Sequence, residues 1–132
     1  MRLHTEQTEV PVSKDSASEG LIPSAWRPVL KNVVDAFALQ DYALADRVSG
    51  VAPISEDTAI QIREYIEDYG ATLLPLPEAS WDTSVCIWMN GHWDALVDLW
   101  TEEEGRSDLV LQVQVSEADN GYAVTVHMVY VP

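Results

Sequence analysis

The stretch VCIWMNGHWDALVDLW, residues 85–100, decides the fold. Two runs with a period of two flank Asn90-Gly91, the residue pair most typical of a two-residue hairpin loop, because a type I′ turn needs positive φ at both central positions. This spacing predicts an antiparallel hairpin in which Trp88 pairs with Trp93. The alternation leaves one apolar face and one mixed face. The mixed face holds Val85, Ile87, Met89, His92, Asp94, Leu96, Asp98 and Trp100.

Asn120-Gly121 repeats the same signal nearer the C-terminus and predicts a second hairpin. The predicted pairs are Val115 with Val126, Val113 with Met128, and Leu111 with Tyr130. His127 and Val129 then fall on the opposite face. The two hairpins together predict a four-stranded antiparallel sheet with one clean apolar face.

The N-terminal half predicts helices. Over residues 24–40, apolar side chains recur every three or four positions, as on the buried stripe of an amphipathic helix. A second helix is predicted from Ser55, whose hydroxyl suits an N-cap, to Gly70, a natural C-terminal stop. Residues 41–48 are considered for a third, short helical turn.

These elements predict an α+β fold, in which two or three N-terminal helices pack on one face of the four-stranded sheet. Residues 1–22 are polar and show neither period, so they are predicted to form a flexible N-terminal arm. Residues 23–132 are then predicted to form a single α+β domain, which is long enough to bury one hydrophobic core.

The net charge of the chain indicates which classes of partner it can bind. Seven Lys and Arg stand against 22 Asp and Glu, a formal charge of −15. Phosphate backbones and anionic membranes would be repelled, so neither nucleic acid nor membrane is expected as a partner. From Glu64 to Pro132 there are 13 acids and one base, Arg106, a net charge of −12. A surface of one sign speeds association with a basic protein.

Seven residues of this acidic half are predicted to bind the partner. They are Asp94, Asp98, Trp100, Glu102, Glu103, Glu104 and Asp108. The carboxylates would steer the partner, and Trp100 beside Asp98 has the composition of an interface anchor with a charged rim. The alternative for Trp100, and for Trp81, is that a loop or the N-terminal arm covers the ring.

Chemistry on the mixed face is the competing possibility. Asp94 and Asp98 point the same way as His92, and His127 could join them, so these side chains could bind a divalent metal or perform acid–base catalysis. The simpler explanation is that the solvent face of a sheet is expected to be polar, and no His-x-x-x-His or His-Glu pairing supports a metal among only three histidines. We therefore predict no catalytic residue, no metal and no cofactor. Cys86 lies on the apolar face without a basic neighbour and is expected to be inert.

The single cysteine indicates a reducing compartment. Neither a signal-peptide pattern nor an apolar run of about 18 residues occurs in the sequence. The expected location is therefore cytoplasmic, and the expected state is a monomer or a weak homodimer.

The segment WDALVDLWTEEEGRSDL, residues 93–109, resembles a small bacterial domain family of unknown function, over roughly residues 55–132. That family brings no established activity. More loosely, two helices followed by long antiparallel strands are similar to the cystatin-like and nuclear-transport-factor-2-like folds, and residues 38–42 resemble the end of their first helix. Many small acidic bacterial proteins with such folds are immunity proteins, which neutralise a toxin domain by binding it.

The resemblance and the charge lead to the same hypothesis. The chain is expected to be an acidic binding protein, most concretely an immunity protein that occludes the active site of a cationic, nuclease-type toxin. The rival hypothesis is a small-molecule-binding or enzymatic α+β domain. It requires a pocket between helices and sheet that Asp94 or Asp98 shares with His92 or His127.

Overall fold

A computed structural model describes residues 9–45 and 47–132. The helices are α1 (Arg27–Ala38) and α2 (Glu56–Tyr69), with short 3₁₀ helices at Ser24–Trp26 and Glu78–Asp82. The strands are β1 (Gly20–Leu21), β2 (Val85–Trp88), β3 (Trp93–Thr101), β4 (Gly105–Ala118) and β5 (Gly121–Tyr130). They form one antiparallel sheet in the order β1-β2-β3-β4-β5. The predicted α+β class is confirmed.

Both predicted helices form, and capping residues mark the two ends of α2. The Ser55 hydroxyl accepts the backbone N–H of Thr58 at 3.2 Å, and Gly70 ends α2 with a left-handed φ of 80°. Helix α1 starts after a 3₁₀ turn and carries a proline in its first turn, where no backbone N–H is needed. The described residues of 41–48 form turns and no third helix.

The first hairpin has the predicted register. Trp88 pairs with Trp93 and Cys86 with Ala95, and Asn90 takes the positive φ, 59°, that its position requires. Within the described residues, the sheet nevertheless has five strands instead of the predicted four, because Gly20–Leu21 adds to the outer edge of β2. A two-residue strand is too short to leave an alternating pattern in the sequence.

The second hairpin turns earlier than predicted. Ala118 pairs with Gly121, so Asp119-Asn120 forms the loop and the positive φ (145°) falls on the glycine after it. Val115 consequently pairs with Val124. The predicted pairs Val115–Val126, Val113–Met128 and Leu111–Tyr130 are wrong. Near the turn the error is two residues, which leaves every side chain on its predicted face.

A β-bulge then changes the faces along the rest of β5. Val126 and Met128 oppose consecutive residues of β4, so His127 is the extra residue. Beyond the bulge, Val129 is fully buried and Met128 is 38% exposed. The sequence prediction had placed these two side chains on the opposite faces, because one inserted residue reverses a period of two.

The helices cover one face of the sheet and form the core with it. Trp26 and Trp93 lie at its centre, edge to face with ring centroids 5.1 Å apart, and Phe37 of α1 is equally buried. The strands contribute to this core the side chains of Cys86, Trp93, Ala95, Val97, Leu99, Leu109, Leu111, Val113, Val115, Val124, Val126 and Val129. The space between helices and sheet is therefore filled by packed side chains.

Part of the predicted N-terminal arm contacts this domain. The Trp93 indole N–H donates to the Ser13 carbonyl at 2.8 Å. The Lys14 ammonium lies 5.1 Å from the centre of the Trp88 ring and bonds Glu117 at 2.9 Å. Residues 1–8 of the arm lie outside the described residues, and its flexibility stays a prediction.

Candidate binding surface

The sheet face away from the helices carries a row of side chains that crosses all five strands. The register aligns, from β1 to β5, Leu21, Val85, Leu96, Gln112 and Met128. We call these five residues the apolar row, since four of the five are apolar. Its end members Leu21 and Met128 are 44% and 38% exposed, and its middle members are half-buried.

The two predicted aspartates lie on either side of this row. Asp94 and Asp98 are two positions before and after Leu96 on β3, so each carboxylate belongs to a neighbouring row of the same face. Residues two apart on a strand are separated by about 6.6 Å. The open face is therefore apolar along one line, with a carboxylate next to the line on each side.

Asp94 is partly exposed, and its carboxylate lies close to the His92 ring. The Nε2 atom of His92 lies 3.2 Å from its carboxylate, and 24% of the Asp94 side chain is exposed. Beside it is an open hollow of about 210 Å³. The hollow is lined by Glu19, Val85, Cys86, Ile87, Asp94, Leu96, Gln112 and Tyr130. Most of this lining is apolar, and the carboxylates of Glu19 and Asp94 are at its wall.

Asp98 is held in place by the segment that precedes β2. The Ser80 hydroxyl donates to the Asp98 carbonyl at 2.8 Å, and the Asp98 N–H donates to the Ser84 hydroxyl at 2.9 Å. The Thr83 hydroxyl donates to the Asp98 carboxylate. Sequence analysis missed these three hydroxyl residues, because they lie in or just after the 3₁₀ helix Glu78–Asp82, whose contact with β3 leaves no periodic signal.

The three glutamates form the turn between β3 and β4, which is hydrogen-bonded to Tyr69 at the end of α2 and to Thr72 just after it. The backbone N–H and hydroxyl of Thr72 donate to the Glu103 carboxylate at 2.9 and 2.8 Å, which lowers the pKa of Glu103. The Tyr69 hydroxyl donates to Glu104 at 2.5 Å, which raises the pKa of Tyr69. The Glu102 N–H donates to the Thr72 carbonyl. All three glutamates remain exposed on this hydrogen-bonded turn.

Trp81 and Trp100, which the sequence predicts to be either exposed anchors or covered rings, have different surroundings. Trp81 is only 3% exposed, with the Arg27 guanidinium 5.5 Å from its ring centre, so the covered alternative is correct for Trp81. Trp100 is half-buried, pairs with Arg106 and lies against Gly105. Part of the Trp100 ring therefore remains accessible at the same end of the sheet as the three glutamates.

The remaining predicted site residue, Asp108, is exposed on β4, and its backbone N–H donates to the Tyr69 hydroxyl at 3.3 Å. The structure thus brings the predicted residues together as a band that follows β3 and rounds its hairpin. Residues 85–130 contain eight acids and one base, Arg106. The apolar row is the part of this surface that sequence analysis missed.

The positions of His127 and Cys86 bear on the metal and thiol chemistry considered from the sequence. His127 lies at the β5 bulge, with β4 between it and the β3 aspartates. Within residues 9–45 and 47–132, no three His, Cys, Asp or Glu side chains cluster closely enough to hold a metal ion. The Cys86 thiol is buried, and this burial raises its pKa to about 11.

In the part of the chain that the structure describes, no helix has the length and apolar character needed to cross a membrane.

Comparison with known families gives one match. Residues 34–132 match the family described as Domain of unknown function (DUF7668), and the chain belongs to this family. The predicted resemblance to a small family of unknown function is confirmed, and the match begins within α1, earlier than the predicted residue 55. Neither the curated proteins nor the solved structures provide a match.

Proposed function

We propose that this member of the DUF7668 family is a binding protein for a basic protein partner. In its most concrete form, it is an immunity protein that covers the active site of a cationic, nuclease-type toxin domain. The observation that carries the proposal is the charge of the strand region, eight acids against Arg106 within residues 85–130. A nuclease binds phosphates with basic groups, and a band of carboxylates offers those groups an alternative set of anions.

We call Asp94, Asp98, Glu102, Glu103, Glu104 and Asp108 the acidic band, and the hydrogen bonds that hold several of these residues support the proposal. Glu103 and Glu104 are hydrogen-bonded to the end of α2 and to Thr72, and Asp98 is held by Thr83. A flexible acidic loop would lose conformational entropy on binding, and a loop already ordered in the free protein loses less. The band is therefore suited to tight binding as well as to electrostatic steering.

The geometry favours this function over a small-molecule or enzymatic domain. A pocket between helices and sheet is the requirement of that rival, and Trp26, Phe37 and Trp93 fill that space at 1% exposure each. Asp94 and His92 lie on the opposite, open face. A cytoplasmic location and a monomeric or weakly dimeric state belong to the proposal, as does the similarity of the helix and strand order to cystatin-like folds.

The test is to capture the partner from the native cell, purify it, and measure its affinity across a range of salt concentrations. We expect a basic protein whose affinity falls steeply with salt. Replacing Glu102, Glu103 and Glu104 together with glutamine should slow association by roughly tenfold at low salt, since rim charges act mainly on the association rate.

The matched control changes three exposed acids on α2 in the same way, Glu56→Gln, Asp57→Asn and Glu64→Gln. This variant has the same net charge as the turn variant but leaves the acidic band intact. If both variants slow association equally, the effect comes from net charge alone and not from the position of the acidic band. An acidic partner, or an affinity that salt does not change, would refute the proposed function.

A further inference from the structure

We propose that the basic partner docks on the open face of the sheet by seating an apolar side chain on the apolar row, between basic side chains that meet Asp94 and Asp98. This inference rests on the proposed function and adds to it the place and chemistry of the central contact. The acidic band supplies the rim of the interface, and the apolar row supplies its centre.

The dimensions of the row fit an interface core. It crosses five adjacent strands, and strands lie about 4.8 Å apart, so the row is roughly 19 Å long. A protein interface of ordinary size covers about 800 Å² on each partner, with an apolar centre and a polar rim. A row of this length runs across most of such a patch.

The open hollow gives one apolar side chain a place to sit. Its walls include Val85, Ile87 and Leu96, and it lies directly beside the row's middle members. Anchor residues at interfaces contribute most when they enter a preformed apolar recess that excludes water. Leu21 extends the row beyond the hollow at the β1 edge and is 44% exposed.

The charges around the row select the occupant. Asp94 and Asp98 lie next to Leu96 on opposite sides, and Glu19 is at the wall of the hollow. A second copy of this chain would place these carboxylates against one another, and both copies have a net charge of −15. An apolar side chain flanked by arginine or lysine matches both the row and its borders.

The test uses two synthetic peptides as probes, one alternating arginine and leucine and one alternating arginine and serine. Binding is measured by calorimetry, and the contacted residues are mapped from amide chemical-shift changes. We expect the leucine peptide to bind severalfold more tightly than the serine peptide and to shift amides of the apolar row. Leu96→Gln should weaken binding of the leucine peptide and leave that of the serine peptide nearly unchanged.

Two further variants keep the test decisive. Met128→Gln changes the exposed end of the row, where a folding defect is not expected, and should act in the same direction as Leu96→Gln. Leu39→Gln is the matched control, because Leu39 is 82% exposed at the end of α1, away from the row. It should bind both peptides as the unchanged protein does.

The outcomes separate this inference from the proposed function. If removing Asp94 and Asp98 weakens both peptides while the row variants change nothing, the basic partner stands and docking on the row is wrong. If neither the aspartate nor the row variants change peptide binding, docking on the row is wrong, and the salt dependence of the captured partner decides the proposed function separately. If ultracentrifugation shows a dimer that Met128→Gln abolishes, the row binds a second copy, which overturns the inference.

Discussion

Replacing Gln61 with leucine tests whether one α2 side chain completes the edge of the sheet. Strand β5 is an edge strand, and the Gln61 carboxamide bonds it as a neighbouring strand would. Its Nε2 donates to the Val129 carbonyl at 2.8 Å, and its Oε1 accepts the Val129 N–H at 3.4 Å. Leucine has a similar size but can form neither bond.

The expected loss follows from these two bonds. A neutral hydrogen bond contributes about 0.5–1.5 kcal/mol to the free energy of unfolding, and the 3.4 Å bond belongs at the lower end of that range. Gln61→Leu should therefore lower the free energy of unfolding by about 1–2 kcal/mol. For a chain of this length, that corresponds to a decrease of roughly 4–8 °C in Tm.

Urea denaturation with linear extrapolation measures the change directly. The control is Gln114→Leu, a glutamine on the open face, and its effect should stay within about 0.5 kcal/mol. If Gln61→Leu is as stable as the unchanged protein, the carboxamide does not stabilise the edge. An equal loss in both variants would show that the effect comes from adding an apolar side chain to the surface.

Three further predictions concern single side chains. Ser55→Ala removes the acceptor for the Thr58 N–H and should reduce the free energy of unfolding by about 1 kcal/mol in urea, whereas Ser55→Asp should retain it. Burial raises the pKa of Cys86 to about 11, so a disulfide reagent at mildly alkaline pH should react at the rate of unfolding; rapid reaction of the folded protein would contradict this. The pKa of Glu103 is lowered in the folded state by Thr72, so its stabilising contribution exists above its unfolded pKa and disappears as pH falls through the folded value. Glu103→Gln should therefore flatten the acid side of the stability–pH curve, and an unchanged slope would argue against that hydrogen bond.

Local signals were sufficient wherever the chemistry of an element lies within its own residues. Ser55 and Gly70 carry the caps of α2 in their side-chain oxygen and their conformational freedom, so both ends were predictable. Asn90 likewise specifies the first hairpin, whose register is as predicted. Composition alone also established the acidity of the strand region, since formal charge does not depend on fold.

The apolar row could not be predicted, because its members come from distant parts of the chain. Alternation placed Val85 and Leu96 on the mixed face. Leu21 joins them only because two residues near the N-terminus pair with β2. Met128 joins them only because the bulge at His127 reverses the side-chain direction in β5, and nothing in the local pattern signals a bulge.

The sequence by itself therefore determined the helices, the first hairpin, the α+β class and the acidity of the strand region. Each of these depends on neighbouring residues or on composition. Only the tertiary structure decided the fifth strand, the register of β5 and the apolar row between Asp94 and Asp98. Those features depend on pairing between segments far apart in the chain, where a single inserted residue exchanges the buried and open faces.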